Sequence, residues 1–319
     1  MYTEREAREL VVKAGLWLIE KGLVSRTWGN VSARISASEF IITPSGKAYE
    51  GLTPDDLVKV RIADCSYDGD VKPSSEKGVH AAVYSMRPEA DFVIHTHQLY
   101  ASACAADEKD LPYAPCAKYG LPGTDKLRKN VEKCVDAHRN HKTFLLAKHG
   151  TLVIGESVED AYVQVEQLEL NCKMEFESRI PSMDVVRRDA IDTDRFRTKE
   201  HPYVLVEQNE FVNECCNAGI DLKPYIDDFA QIAGPVVDVV KNKKMDIIVG
   251  LLGRNAVLVK GVGAVCVGTS EEDVEAVATV TTKNCAAACY VRKSRPMSKV
   301  DALLQRLVYL NKYSKLKDK

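Results

Sequence analysis

The feature that most restricts how this chain can fold is a displaced likeness to itself. A shift of 113 residues lays Gly150 on Gly263, Gly155 on Gly268, Ser157 on Ser270, Glu159 on Glu272, Asp160 on Asp273 and Cys172 on Cys285. Apolar positions follow the same register, Leu152 on Val265 and Ile154 on Val267. An ungapped strand-turn-strand-helix match of this kind implies duplication, and hence a chain of two related parts. His149 falls on Val262 and no histidine follows His201, so the second part cannot build an imidazole metal site. Its expected work is packing or assembly.

The chemistry is therefore sought in the first part, where Asp91-Phe92-Val93-Ile94-His95-Thr96-His97 ends an apolar, β-prone run in two histidines. Side chains alternate along a strand, so His95 and His97 share a face while Thr96 points away. Two imidazoles so placed are half of a divalent-metal site, or simply two satisfied polar groups. Around them the pattern alternates helix and strand. Residues 4–22 carry a helical apolar stripe ended by Lys21-Gly22, and Thr27–Arg34 reads as a Gly-Asn turn entering a strand. Glu39–Thr43 is a second strand leading into the Pro44-Ser45-Gly46 turn. Both corners expose backbone N–H groups and short polar side chains, which suits an anion and equally suits a plain hairpin. Val79, Ala82, Val83 and Met86 have helical spacing, with Ser74 or Ser75 as N-cap and Glu76 in the first turn. Such a helix start is either ordinary capping or a phosphate cradle. His80 falls on the buried stripe and reads as structural.

Further on, a short helix runs through Tyr100–Ala105, residues 111–123 are irregular, and Lys126–Arg139 is an amphipathic helix. Thr143–Lys148 reads as a buried strand closing on His149-Gly150, then Thr151–Gly155 as another, then a long helix from Ser157. In an extended run Lys148 and His149 face opposite ways, which argues against a lysine Schiff base beside the histidines. The expected division is a catalytic domain over residues 1–180, a charged linker over 181–203 and the degenerate copy over 204–319.

Composition narrows the class. With 319 residues, 45% hydrophobic, 28% charged and a net charge of −2, the chain has material for real cores and no global charge favouring nucleic acid or anionic membrane. The N-terminus lacks a signal-peptide core, no stretch approaches the roughly 18 to 20 apolar residues of a membrane span, and the ten cysteines contain no C-x-x-C pair. A cytoplasmic protein with reduced thiols is expected.

Taken in order, Gly29-Asn30-Val31-Ser32, Thr43-Pro44-Ser45-Gly46, Pro73-Ser74-Ser75-Glu76, Ile94-His95-Thr96-His97 and Lys148-His149-Gly150 resemble the class II aldolase/adducin family, nearest its L-fuculose-phosphate aldolase branch. The resemblance covers residues 1 to about 178. It implies an α/β fold, a three-layer α/β/α arrangement with a largely antiparallel central sheet, followed here by the partial degenerate repeat. It implies a divalent metal, zinc in the aldolases, on His95, His97 and His149, with Glu76 as the catalytic carboxylate. Gly29, Asn30, Ser45, Gly46, Ser74 and Ser75 would hold a substrate phosphate. The family's tyrosine-bearing segment shrinks here to Asp107–Pro112, leaving Tyr113 or Tyr119 as possible proton donors.

The implied activity is metal-dependent cleavage of a ketose 1-phosphate to dihydroxyacetone phosphate and an aldehyde. A sugar-phosphate 4-epimerase or a 3-oxo-acid phosphate decarboxylase would use the same chemistry, and Glu76 favours aldolase over epimerase, which carries Asp there. A non-catalytic adducin-like assembly module is the reading from another class. The expected partners are a small sugar phosphate and further copies of the chain, as a dimer or tetramer, with neither nucleic acid nor membrane.

Overall fold

The computed structural model describes residues 1–24, 28–180, 183, 190–291 and 295–313. Thr27 and residues 181, 182 and 184–189 of the expected linker lie outside the described residues. The chain forms two compact units, Met1–Lys173 and Met174–Lys319.

The first unit opens with α1 (Glu4–Glu20), started by a reciprocal Thr3/Glu6 capping box. There follow β1 (Asn30–Arg34), β2 (Glu39–Ile42), β3 (Val58–Arg61), α2 (Lys77–Met86), β4 (Phe92–Thr96), α3 (Leu99–Ala106), β5 (Cys116–Ala117), α4 (Asp125–Ala137), β6 (Thr143–Leu146), β7 (Gly150–Gly155) and the start of α5 (Val158–Arg179). The seven strands form one sheet in the order β3-β2-β1-β4-β7-β6-β5. Every neighbouring pair is antiparallel except β5 with β6. On one face, Val79 and Val83 of α2 and Leu127, Val131 and Val135 of α4 share a core with Phe40, Val60, Val93, Phe144 and Leu152. Alternation puts His95, two residues beyond Val93, on that same face. α1 packs on β1 and β2, and α3 on β6 and β7. This is the expected layered α/β fold.

Three local expectations give way. Residues 111–123 contain β5, a two-residue parallel strand too short to leave a sequence signature. Lys77 N–H donates to the Ser74 carbonyl at 3.1 Å, closing a tight turn, so α2 starts one or two residues late and Glu76 itself occupies the N-cap position. The run to Lys148 is not extended throughout. β6 stops at Leu146, and Lys148 turns the chain in the left-handed region with φ 58°. Its ammonium pairs with Glu108 at 2.5 Å, so the lysine is engaged elsewhere, though not for the reason alternation suggested.

The second unit takes in the last turns of α5, then β8 (Tyr203–Glu207), α6 (Glu210–Ala218), α7 (Asp227–Ile232), β9 (Val239–Val240), α8 (Lys244–Gly250), β10 (Ala256–Val259), β11 (Gly263–Gly268), α9 (Glu271–Tyr290) and α10 (Lys299–Val308). Its boundary differs from the expected one on both sides. Phe176, near the end of α5, stacks on Tyr290 and meets Phe211 edge-on. Phe196, placed in the linker by its charged surroundings, is buried with Ile247, Val257, Val259, Val262 and Val265.

The four-stranded sheet of this unit, β8-β11-β10-β9, has the order and pairing senses of β4-β7-β6-β5. Gly268 pairs with Tyr203 as Gly155 pairs with Phe92, and Ala264 with Glu207 as Thr151 with Thr96. A Cβ on Gly150 would meet the Thr96 carbonyl oxygen at 2.4 Å, and one on Gly263 would meet that of Glu207 at the same distance. Both long helices are capped alike, Ser157 Oγ accepting from Asp160 N–H at 3.2 Å and Ser270 Oγ from Asp273 N–H at 3.1 Å. We read these correspondences as a partial duplication of the first unit, without counterparts of β1–β3. The positions matching His95, His97 and His149 are Val206, Gln208 and Val262, and Gln208 Nε2 donates to the Val262 carbonyl at 2.6 Å.

Candidate functional site

Two elements bring the histidines together. β4 delivers His95 and, one residue past its end, His97. The turn at Lys148 delivers His149. The Nε2 atoms of His95 and His97 are 2.9 Å apart, ring centroids of the three imidazoles lie 4.7 to 4.8 Å from one another, and one nitrogen from each falls within 4.8 Å of the other two. His95 Nδ1–H donates to the Thr151 carbonyl at 2.6 Å, which fixes its tautomer and aims the Nε2 lone pair at its neighbours. Glu76 closes the group, with Oε1 2.9 Å from His149 Nε2 and Oε2 3.2 Å from His95 Nε2. His97 is 9% exposed and the other three less, so the cluster opens to solvent on the His97 side.

Imidazole lone pairs facing one another beside a carboxylate repel unless a positive charge sits among them, so this donor set suits a divalent cation. Three neutral nitrogens leave a coordination position open, as catalytic sites do. Burial pushes the Glu76 carboxyl towards the neutral form. The adjacent His95 and His149, with hydrogen bonds from His149 and Asn30, outweigh burial and hold its pKa well below the usual carboxylate range. Glu76 is thus a buried carboxyl whose ionised form is favoured by its neighbours.

Two glycines permit this geometry. Gly29, at φ 79°, brings the backbone against β4, where an added Cβ would meet the His95 carbonyl oxygen at 2.4 Å. A Cβ on Gly150 would also stand 3.2 Å from His97 Cδ2 and 3.3 Å from His95 Cε1, inside the cluster.

The expected phosphate residues fall into two groups. The 43–46 turn and the 73–76 segment lie side by side. Pro44 bridges Pro73, Ser45 N–H donates to the Lys72 carbonyl at 2.9 Å, and Ser74 N–H to that of Thr43 at 2.9 Å. Ser45, Gly46, Ser74 and Ser75 therefore share one corner, next to Glu76. Asn30 is placed differently. It is buried behind Glu76, with Nδ2 donating to Glu76 Oε2 at 3.0 Å and Oδ1 held by His80. The structure puts the Tyr113 hydroxyl 4.0 Å from Cys172 Sγ, while Tyr119 lies where Asn130 Nδ2 donates to its carbonyl.

His80 was readable as buried but not as a partner of the site, because its contacts cross from α2 to β1. Its Nδ1 meets Ser32 Oγ at 2.6 Å, and Ser32 Oγ meets the Tyr84 hydroxyl at 2.8 Å. A buried histidine one turn after Glu76 was the available signal.

The fold and cluster together define a class, and comparison with known proteins gives it a name. Residues 9–176 match the class II aldolase and adducin N-terminal domain, and the chain belongs to that family. Class II aldolases are metal-dependent.

Among its relatives, 3-oxo-tetronate 4-phosphate decarboxylase of Pectobacterium atrosepticum is 30% identical, covering 54% of this chain and 85% of the relative. Methylthioribulose-1-phosphate dehydratase of Pseudomonas savastanoi pv. phaseolicola is also 30% identical, covering 53% and 93%. Among solved structures, an L-fuculose 1-phosphate aldolase aligns over 54% of this chain and 86% of its own with a TM-score of 0.51 and 28% identity. Among the described residues, no helix is long and apolar enough to cross a membrane.

Proposed function

We propose that the first unit is a metal-dependent lyase that cleaves the bond between the α and β carbons of the ketone in a phosphorylated sugar, acting as an aldolase on a ketose 1-phosphate. The observation that carries this reading is the ionised carboxylate of Glu76 set against three converging imidazoles. Cleavage beside a ketone leaves an enediolate, and a divalent cation on His95, His97 and His149 would supply, when bound, the positive charge that stabilises it. Zinc matches the all-nitrogen donor set.

Glu76 moves the proton at the carbon that becomes or ceases to be carbanionic. Its two oxygens have different partners: Oε2 accepts from Asn30 Nδ2, and Oε1 faces His149 Nε2. The corner formed by Ser45, Gly46, Ser74 and Ser75 holds the phosphate, a remote handle whose binding energy orients the reacting carbons. Asn30, its amide spent on Glu76 and His80, serves the base rather than the phosphate.

A second reading is suggested by one of the relatives, the 3-oxo-tetronate 4-phosphate decarboxylase. A decarboxylase of a 3-oxo-acid phosphate needs the same enediolate and only a different leaving group. Coupled detection of dihydroxyacetone phosphate from a panel of pentulose and hexulose 1-phosphates tests the first reading. Release of CO2 from 3-oxo-acid phosphates, with no aldehyde from any ketose, would replace it with the second.

A further inference from the structure

Behind Glu76 four buried side chains form an unbroken file: Asn30, His80, Ser32 and Tyr84, all 5% exposed or less. Its direction follows from elementary bookkeeping of donors. Asn30 Nδ2 donates to Glu76 Oε2 at 3.0 Å and its Oδ1 faces His80 Nε2, so the amide N–H is given to the carboxylate and the carbonyl to His80. His80 must then carry its proton on Nε2, which leaves Nδ1 as an acceptor. Ser32 must donate its hydroxyl proton to Nδ1, and Tyr84 its own to Ser32 Oγ. The opposite order would set the Asn30 carbonyl against the carboxylate. Burial keeps the imidazole neutral and the phenol protonated, as this order requires.

We infer that Tyr84, Ser32, His80 and Asn30 are positioning residues for the base, a one-way hydrogen-bond file that locks the Asn30 amide and thereby fixes the orientation of Glu76. The inference rests on the reading of Glu76 as base. Aligned dipoles of this kind polarise one another, and every N–H or O–H in the file points towards the carboxylate. Breaking the file far from the site should loosen its near end. Ser32 is the place to break it, since Ser32→Ala removes one oxygen and leaves Nδ1 of His80 without its donor, freeing the imidazole to change tautomer and the amide to turn.

Two readouts test this. In metal-free protein labelled with ¹⁵N-histidine, His80 should be a neutral Nε2–H tautomer in the wild type and a tautomer mixture in Ser32→Ala, with Ser32→Thr restoring the single form. With zinc restored, exchange of the transferable α-proton of dihydroxyacetone phosphate into deuterated water should slow about 10- to 100-fold in Ser32→Ala and in Tyr84→Phe, the range typical of outer partners in metal sites. The loss should fall on the exchange rate at saturation, with KM and zinc content unchanged and Ser32→Thr close to wild type. Wild-type exchange in Ser32→Ala beside a dead Glu76→Gln would overturn the file alone, as would an Nδ1–H tautomer in the wild type. Full exchange by Glu76→Gln, or none by the zinc-loaded wild type, would overturn the base assignment and the file with it.

Discussion

The fully buried imidazole of His80 makes the stability of the first unit depend on pH in a way that can be worked out in advance. Burial, with a smaller contribution from nearby His95, lowers its pKa from 6.5 to about 3, and Glu76 opposes this only in part. Between those values the unfolded chain binds a proton that the folded protein refuses. Stability from this group is therefore complete above pH 6.5 and falls as pH drops towards the folded value, by about 1.4 kcal/mol per pH unit. From pH 7.5 to pH 5 the loss comes to about 2 kcal/mol.

Both tryptophans, Trp17 and Trp28, lie in the first unit, so their fluorescence reports its unfolding without interference from the second. With a urea slope of about 2 to 3 kcal/mol/M, the wild-type midpoint should drop by roughly 0.7 to 1 M over this range through His80 alone. His80→Gln should lack that component whatever its stability at pH 7.5. Metal-free protein serves for both chains, so that titration at the cluster is common to the two curves. Parallel pH dependences of wild type and variant would refute the argument.

Other consequences are equally direct. Gly150→Ala puts a methyl group between His95, His97 and the Thr96 carbonyl, and should weaken zinc binding at least about tenfold by competitive chelator titration; wild-type affinity would mean the cluster yields freely. His149→Ala should leave less than about half an equivalent of zinc per chain by elemental analysis, and chelation of the wild type should abolish turnover until zinc is returned. In the second unit, Lys283 Nζ pairs with Asp228 Oδ2 at 2.5 Å with both side chains 4% exposed. Lys283→Met strands a buried carboxylate and should cost about 3 to 5 kcal/mol, seen as faster hydrogen exchange in β10 and β11, while Lys283→Met with Asp228→Leu should recover most of it.

Most of what could be read beforehand lay in local periodicity, and most of what could not lay in contacts across elements. The shared face of His95 and His97 follows from strand alternation, and the helices α1, α2, α4 and α5 from their stripes. Residues 58–61 alternate Val-Lys-Val-Arg over only four positions, and residues 116–117 are too short to carry a pattern at all. The file from Tyr84 to Glu76 is invisible for a different reason. It joins β1 to a helix about fifty residues later, and each member taken alone is an unremarkable buried polar residue.

The turn that delivers His149 is the most instructive case, because its signal was present in the wrong half of the chain. Lys148 sits at φ 58°, a conformation that lysine gives no reason to expect. Its counterpart by the 113-residue shift is Gly261, at φ 75°, the residue type that adopts this conformation without strain. The second unit thus displays in its sequence the backbone shape that the first unit conceals. The two units differ in what that shape carries. In the first it throws an imidazole inward beside β4, and in the second it carries a valine into an apolar core. Backbone register, helix caps and the close glycine contacts are common to both, while among the described residues the histidine cluster that could hold a metal is confined to one. The chemistry is therefore a small set of side chains laid on a backbone that folds equally well without them, which is why the fold was legible from repetition and the site only from its particular residues.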